Sequence, residues 1–218
     1  YPETVQYLLP SVSPMIALGK AVKEKNNEAY TVFIGPCLSK KREAMDPEYS
    51  GIIDAVLTFE EIMPYFSSCG LDIEDLPASV PNLTATSKGR GYPTSGGIGE
   101  GLKDTLFNGG YDMISTHGME NVKEILGEIM TGELDKAYIE LSSCIESCIN
   151  GPCIQKDSGN IFRRKQRVKH FMDVGWGVLG EENVEQNIDL TLEQNVIKSY
   201  LYSPEEEEIV EILRSMGK

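Results

Sequence analysis

Short apolar runs rich in β-branched and aromatic residues recur along the chain, separated by segments in which apolar residues repeat at helical spacing. The runs predict four buried strands, at residues 29–34, 54–57, 111–116 and 137–143. The segments of helical spacing lie at residues 13–25, from 58 onward, at 95–107 and at 119–130. Because strands and helices alternate, we expect an α/β fold with parallel or mixed sheets flanked by helices.

Local signals mark the ends of some of these elements. Ser13 before Pro14 is typical of an N-cap and first helical residue, and Thr58 with Glu61 has the spacing of a capping box. Residues 69–93 lose this periodicity and predict a long loop. Toward the end of the chain, the sequence predicts a basic stretch at 162–169, a glycine-rich turn at 175–180 and a closing helix at about 203–215.

The composition is that of one large globular domain. Of the 218 residues, 40% are hydrophobic and 25% are charged, so the chain can bury a sizeable core. We place a lobe that carries the candidate chemistry at about residues 28–154 and a C-terminal helical segment at about 155–218. Because the chain begins at Tyr1 rather than at Met, we expect it to be a partial domain cut from a longer protein.

The net charge limits the kinds of partner, and the cysteine content indicates the cellular compartment. With 34 acidic and 20 basic residues, the formal net charge is -14, which disfavours nucleic acids and anionic membranes as partners. No apolar run approaches the roughly 18–20 residues of a membrane span, and the first residues do not resemble a signal peptide. Five cysteines without the spacing of a small secreted scaffold favour a reducing cytoplasm.

The first candidate site is a cysteine that directly follows a predicted strand. Cys37 comes after the strand at 29–34, and Lys40 and Glu43 follow it closely. Ligand sites in α/β sheets collect at the carboxyl ends of strands, and a nearby lysine favours the thiolate, the form that binds metal. A buried apolar cysteine beside a solvated basic turn is an equally good interpretation of this segment.

The second candidate site is a group of three cysteines within ten residues, again after a predicted strand. Iron–sulfur clusters are held by cysteine thiolates, often in close runs. If the segment is helical, Cys144 and Cys148 lie on one face of a single turn, with Cys153 just beyond. A zinc site and a redox pair of thiols are the alternatives.

Two further features predict structure rather than chemistry. The glycine-rich segment at 94–101 lacks the pattern of a phosphate-binding loop and predicts a tight helix start that lets backbone approach closely. His117 follows a strand without a partner motif, which favours a structural role.

Taken together, the motifs resemble the catalytic domain of iron–iron hydrogenases, which lies in the large chain of those enzymes. The segment FIGPCLSKKREA is similar to the family motif M-P-C-x-x-K-K-x-E, and IELSSCIESCINGP is similar to E-x-x-x-C-x-x-x-C-x-x-G. The segments DAVLTFEEI, YPTSGGIGE and THGMENVKEIL fall where that family has similar stretches. The resemblance covers roughly residues 1–154.

The resemblance implies a cofactor, a reaction and a role for each residue. Cys37, Cys144 and Cys148 would ligate a 4Fe–4S cubane, and Cys148 would also bridge it to a two-iron subcluster. Lys40 would donate a hydrogen bond to a cyanide ligand of that subcluster, and Glu43 would complete the motif. Lys40 and Cys148 are therefore the catalytic candidates. The implied reaction is the reversible reduction of protons to dihydrogen.

The chain also departs from the family pattern. Gly35 and Ser142 stand where hydrogen producers usually have Met, and Asn150 to Cys153 replace a run of glycines. These departures favour a sensory or divergent member of the family. The segment SPEEEEIVEILRSMGK is similar to a stretch that precedes an extra iron–sulfur module in multidomain members. This resemblance implies an anaerobe's multidomain protein, with ferredoxin-like or other iron–sulfur electron carriers, and PAS domains, in the same full-length chain. A non-catalytic iron–sulfur or zinc-binding scaffold is the alternative.

The resemblance places the fourth cluster ligand in a Cys-Cys-Pro segment upstream of Tyr1. We therefore expect this piece alone to hold no complete hydrogenase cofactor. We also expect the turn at Pro152 to direct Cys153 away from Cys144 and Cys148.

Overall fold

The computed structural model describes residues 1–73, 75–77, 85–155 and 158–173. Within these ranges, helices and short parallel strands alternate along the chain, which confirms the predicted α/β class. The predicted turn at 175–180 and the closing helix at about 203–215 lie outside the described residues. The division into a lobe and a C-terminal segment therefore stays a prediction.

The first half of the structure is built around a pair of parallel strands. Its elements are α1 (Pro14–Lys25), β1 (Val32–Gly35), α2 (Ser39–Ala44), β2 (Ala55–Thr58) and α3 (Phe59–Ser68). β1 and β2 pair in parallel, with Val32 opposite Ala55 and Gly35 opposite Thr58. Both strands therefore end at the same edge, directly before α2 and α3.

The predicted helix starts in this half are confirmed. The Ile16 amide donates to Ser13 Oγ at 3.5 Å, and Pro14 occupies the first turn of α1. At α3, the Glu61 amide donates to Thr58 Oγ1 at 3.3 Å and the Thr58 amide donates to Glu61 Oε2 at 2.8 Å. This reciprocal pair is a complete capping box, which satisfies two backbone donors that the helix itself cannot.

β1 begins at Val32, later than the predicted strand, and Thr31 before it bonds to the Asp54 side chain as well as to the backbone amides of Asp54 and Ala55. The Thr31 amide and the Thr31 hydroxyl both donate to the Asp54 carboxylate, at 2.6 and 2.8 Å. The Thr31 hydroxyl also lies 2.7 Å from the Ile52 carbonyl oxygen. These bonds tie the segment before β1 to the segment before β2, and the ladder itself starts only at Val32.

The core of this half lies between α1 and the strand pair. Val12, Met15, Ile16 and Tyr49 form its buried centre, and Phe33, Ile52, Ile53 and Val56 are among the partly buried residues packed against it. Burying such side chains removes apolar surface from water, which stabilises the contact by about 25 cal/mol per Å². The packing fixes β1 and β2, whose carboxyl ends carry the first candidate site.

The second half repeats this arrangement with a second parallel pair. Its elements are α4 (Ser87–Arg90), α5 (Gly97–Asn108), β3 (Asp112–His117), α6 (Met119–Thr131), β4 (Ala137–Ser142), a 3-10 turn (Ser147–Asn150) and α7 (Ile161–Asp173). β3 and β4 pair in parallel, with Asp112 opposite Ala137 and His117 opposite Ser142. The cysteine segment thus leaves β4 at the carboxyl edge of this pair.

Three helices differ from the sequence-based expectations. α2 follows Cys37 directly, and α4 lies within the segment predicted as a loop. The basic stretch at 162–169 belongs to α7, which packs against α4 and the Ser147–Asn150 turn. None of the helices in the described ranges combines the length and apolar character that crossing a membrane requires.

Candidate functional site

The segment after β1 and the segment after β4 touch each other through their backbones. The Cys153 amide donates to the Pro36 carbonyl oxygen at 3.2 Å. A Cβ atom at Gly151 would lie only 2.6 Å from the same carbonyl oxygen, so this position accepts no side chain. The two cysteine segments, more than a hundred positions apart in sequence, therefore meet at a close backbone contact.

Three of the predicted ligands come together at this contact. Burial raises the pKa of the Cys148 thiol, and the nearby Cys37 and Cys144 thiols raise it further. The Ser147 hydroxyl and the Lys40 ammonium act in the opposite direction and lower the same pKa. Cys37, Cys144 and Lys40 therefore lie within electrostatic range of the partly buried Cys148 thiol.

The predicted helical turn across Cys144 and Cys148 is wrong. Glu146 and Ser147, which lie between these cysteines, both have φ near +63°, in the left-handed region that side chains other than glycine rarely adopt. The 3-10 turn begins only at Ser147. The chain reverses between the two cysteines, so their proximity comes from a tight turn and not from helical spacing.

Side-chain contacts hold both left-handed residues in place. Ser147 is 5% exposed, and its hydroxyl lies 3.0 Å from the Ser142 hydroxyl at the end of β4. The Glu146 carboxylate lies 2.6 Å from the Lys165 ammonium of α7. Such backbone conformations cost about 1 kcal/mol or more each and persist where the surroundings over-determine them.

α7 makes a second contact with the cysteine segment. Arg164 donates through Nη2 to Asn150 Oδ1 at 2.6 Å and through Nη1 to the Gly159 carbonyl oxygen at 2.9 Å. Together with the Glu146–Lys165 ion pair, these bonds place a basic helix along the outside of the turn. The sequence showed the positive charge of this stretch but not what it would contact.

Lys40 and Glu43, both predicted site residues, pair with each other on α2. The Lys40 ammonium lies 2.5 Å from Glu43 Oε2, and about a fifth of each side chain is exposed. An ammonium has three donors, so this pair leaves two for other acceptors. The Lys40 ammonium also lies close enough to Cys148 to lower the pKa of its thiol, against the larger effect of burial.

Tyr92 belongs to the site but was missed in the sequence. Burial raises the pKa of its hydroxyl to about 12, and Cys148, Glu43 and Cys37 are among the groups that raise it. The following residue, Pro93, accepts a backbone hydrogen bond from Ile149 at 3.0 Å. The YPTSGGIGE segment therefore covers the thiols from a third side, and its likeness to a family segment was the available signal.

A second missed residue, Glu140, anchors that segment. Glu140 of β4 is 7% exposed, and its carboxylate accepts from the Gly96 amide at 3.1 Å and from the Gly99 amide at 2.9 Å. These amides belong to the start of α5, where unpaired donors favour a negative charge. The glycine-rich segment is thus a tight helix start, as predicted, and its anion partner is Glu140.

His117 lies at the end of β3, next to the turn. Its Nε2 is 3.9 Å from the Glu146 carboxylate, and its buried Nδ1 has no hydrogen-bond partner among the described residues. The structure thus places His117 beside the cysteine segment without giving it a contact to any of the predicted ligands.

The two remaining cysteines differ in position: Cys69 lies apart from the site, whereas Cys153 lies near Cys37. Cys69 is exposed at the end of α3. Cys153 is 6% exposed, and burial raises the pKa of its thiol, with Glu60, Glu61 and Cys37 adding to the effect. Cys153 therefore lies on the side of Cys37 that faces the start of α3.

The arrangement of donors bears on the kind of metal site. Among the residues that the structure describes, no three or more His, Cys, Asp or Glu side chains are placed so that they could hold a metal ion. A structural zinc ion needs its donors about 2.0–2.3 Å from one centre, whereas cluster thiolates bind separate iron atoms. The zinc alternative therefore stays a prediction.

Comparisons with known sequences agree on one family. The profile described as "Iron only hydrogenase large subunit, C-terminal domain" matches residues 1–152. The chain is similar to the periplasmic Fe hydrogenase large subunit of Nitratidesulfovibrio vulgaris, with 26% identity over 196 residues, covering 69% of this chain and 47% of that protein. It is also similar to the cytosolic Fe-S cluster assembly factor narfl of Xenopus tropicalis, with 22% identity over 195 residues, covering 66% and 41%.

A solved structure supports the same fold. The apo form of an FeFe-hydrogenase variant from Chlamydomonas reinhardtii superimposes with a TM-score of 0.55 and 16% identity, over 80% of this chain and 62% of that one. At this identity the likeness is one of fold. The chain spans less than half the length of the two curated relatives.

Proposed function

Because the chain belongs to the iron-only hydrogenase family, in which it matches the C-terminal domain of the large chain, we propose that it binds an iron–sulfur cluster through Cys37, Cys144 and Cys148. The observation that carries this proposal is the backbone contact that brings the segment after β1, with Cys37, against the segment after β4, with Cys144 and Cys148. Thiolates are the ligands that iron–sulfur clusters use, and the edge of parallel strands is where α/β folds place their sites.

The surroundings of the thiols fit an anionic, partly buried group. Lys40 supplies a fixed positive charge near Cys148, and Tyr92 supplies a buried hydroxyl. A cation next to thiolates favours their charged form, which is the form that binds iron. Three thiols meet here among the described residues, whereas a 4Fe–4S cubane takes four ligands.

The finer proposal concerns a two-iron subcluster attached through Cys148. When bound, that group would supply the reversible reduction of protons to dihydrogen. Lys40 would orient it, using the donors that its ion pair with Glu43 leaves available. Glu43 in turn holds the Lys40 ammonium in place. We propose ferredoxin-like or other iron–sulfur carriers as the electron partners.

A second candidate is an iron–sulfur domain that senses redox state without turning over hydrogen. The Ser142–Ser147 hydroxyl pair supports it, since it puts two polar groups directly beside Cys148. Polar groups and hydrogen bonds near a cluster change its reduction potential. One relative of this chain is itself described as an Fe-S cluster assembly factor.

Anaerobic reconstitution of the full-length protein with iron and sulfide tests the coarser proposal. We expect bound iron, acid-labile sulfide and a cluster absorption band, all reduced at least several-fold by Cys37→Ser, Cys144→Ser or Cys148→Ser. Cys69→Ser is the matched control, because Cys69 is exposed and lies apart from the group. Zinc in place of iron, or equal iron in all variants, would refute cluster binding at these thiols.

Dihydrogen turnover by the matured full-length protein distinguishes the hydrogenase candidate from the sensing candidate. Dihydrogen evolution with a reduced dye should be abolished by Lys40→Ala and unchanged by Lys25→Ala, which alters an exposed lysine at the end of α1. If the cluster is present but no dihydrogen is formed or consumed, the sensing candidate holds and the hydrogenase reaction does not.

A further inference from the structure

The geometry points to a second use of Cys37: we infer that Cys37 and Cys153 form a reversible disulfide that withdraws Cys37 from the cluster site. Cys153 has no part in the proposed ligand set. The regulatory consequence rests on the proposed function, whereas the disulfide itself does not. The pair is a redox modification site built from two thiols that the fold brings together.

The backbone contact between the two segments sets the separation of these thiols. The Cys153 amide donates to the carbonyl oxygen of Pro36, the residue directly before Cys37. Neighbouring segments joined by backbone hydrogen bonds lie about 4.7–4.9 Å apart. A disulfide needs Cα atoms about 4.4–6.8 Å apart, so this contact brings the backbones of Cys37 and Cys153 within reach of a bridge.

Cys37 lies near both the proposed cluster site and Cys153. The Pro36 carbonyl that accepts from the Cys153 amide stands directly before Cys37. Cys37 is also within electrostatic range of both the Cys148 and the Cys153 thiols. One sulfur cannot be a cluster ligand on one side and a disulfide partner on the other at the same time.

Exposure decides the order in which the two thiols react. Cys37 is partly exposed, whereas Cys153 is buried at 6% exposure. A small disulfide such as oxidised glutathione therefore reaches Cys37 first. The Cys37 thiolate attacks one sulfur of the reagent, forms a mixed disulfide and releases one glutathione thiolate. Cys153 then loses its proton, attacks the Cys37 sulfur and releases the second glutathione.

The electrons balance across these two steps. Two protein thiols lose two protons and two electrons, and the glutathione disulfide is reduced to two thiols. A dithiol reductant reverses the exchange and returns Cys37 to the site. No oxidant other than the small disulfide is required.

The test is peptide mapping without reduction, after anaerobic treatment of the cluster-free full-length protein with oxidised glutathione. We expect a Cys37–Cys153 cross-linked peptide, lost on addition of a dithiol. Cys153→Ser should instead accumulate the mixed disulfide of glutathione on Cys37. Cys69→Ser should give the same cross-link as the parent protein, and circular dichroism should show that each variant is folded.

Iron loading is measured in the same samples. We expect cluster uptake by the oxidised protein to fall at least several-fold, and to return to the level of the untreated protein after addition of the dithiol. Linkage of Cys37 to Cys144 or Cys148, or a Cys153 thiol that remains free to alkylation after unfolding, would overturn the inference. If the cross-link forms but the reduced protein takes up no cluster, the proposed function fails while the thiol pair stands.

Discussion

The Lys165 ammonium lies 2.6 Å from the Glu146 carboxylate, and this ion pair joins α7 to the turn between Cys144 and Cys148. Glu146 has a φ of +63°, so the contact holds a strained residue at the centre of the candidate site. Family similarity covers residues 1–152, and α7 lies beyond that match. A helix outside the matched region thus supports the shape of a segment inside it.

Removing the ion pair should loosen the turn while leaving the fold intact. We expect Lys165→Ala to lower the free energy of unfolding by at most about 1 kcal/mol, because both side chains are partly exposed. Cluster loss from the reconstituted protein during chelator challenge should become faster. Lys169→Ala, an exposed change on the same helix, is the control. Equal rates of cluster loss in the two variants would show that α7 does not support the turn.

A glycine at position 146 provides a complementary test of the strain. In the Lys165→Ala background the ion pair is absent, so Glu146→Gly changes mainly the cost of the left-handed backbone. We expect the double variant to be more stable than Lys165→Ala by about 0.5–1 kcal/mol in urea unfolding. A loss of stability would mean that Glu146 makes a stabilising contact other than the one with Lys165.

The Asp54 contacts make stability depend on acid pH. The Lys23 ammonium, with the Thr31 amide and hydroxyl, lowers the pKa of Asp54 from 3.8 to about 2. A carboxyl with a depressed pKa in the folded state contributes stability above its unfolded pKa, and loses it as pH falls through the folded value. We therefore expect the contribution to be complete at pH 5 and to disappear between about pH 4 and pH 2.

Urea midpoints for the parent protein and Asp54→Asn, compared from pH 6 to pH 2, measure that contribution. The difference between the two should shrink across the stated interval. Glu24→Gln, which removes an exposed charge on α1, should show no such convergence. A constant difference between the parent and Asp54→Asn down to pH 2 would contradict the assignment.

The helix starts could be predicted from the sequence, because the residues that form them are close together along the chain. The cap at Ser13 and the capping box of Thr58 and Glu61 involve residues three apart, and the structure confirms both. The pairing of the strands into two separate parallel pairs depends on packing between distant segments, so the sequence indicated the strands but not their partners. α7 lies within the segment predicted as helical, but its polar contacts could not be predicted: Arg164 and Lys165 bind the turn that carries the cysteines.

The candidate site, too, could be predicted only in part from the sequence. Motif resemblance selected Cys37, Cys144 and Cys148, and the structure brings the two segments that carry them into backbone contact. The turn between the last two could not be predicted, since non-glycine residues seldom take the left-handed conformation. Tyr92 and Glu140 both stand in segments that resemble the family, but the resemblance assigned neither of them a role. Their roles come from segments folding back onto β4 and the cysteines.

Glu140 should be among the most sensitive positions outside the cysteines. Its buried carboxylate accepts from two amides at the start of α5, and removing it leaves those donors unpaired. Hydrogen bonds to a charged group contribute about 1.5–3 kcal/mol, so we expect Glu140→Ala to lower the free energy of unfolding by at least that amount. Glu128→Ala, an exposed change on α6, should cost less than about 0.5 kcal/mol.

Urea unfolding of the two glutamate variants gives the comparison, and hydrogen exchange localises it. Faster exchange at the Gly96 and Gly99 amides in Glu140→Ala, with unchanged exchange in α6, is the expected pattern. Uniformly faster exchange throughout the protein would mean that Glu140 supports the whole fold and not the start of α5 in particular.

Gly151 is where the close contact between the two cysteine segments can be broken by one methyl group. An added Cβ would lie 2.6 Å from the Pro36 carbonyl oxygen and 3.0 Å from the Pro36 Cβ, so one segment has to move away from the other. Forcing such a shift costs about 1–3 kcal/mol. We expect Gly151→Ala to lose that much stability, to bind less iron on reconstitution, and to form less of the Cys37–Cys153 disulfide.

Gly127→Ala on α6 is the matched control, because a Cβ there meets nothing within 4 Å and alanine favours helix by up to about 1 kcal/mol. Stability and iron content that are unchanged in Gly151→Ala would show that the backbone contact does not hold the thiols together.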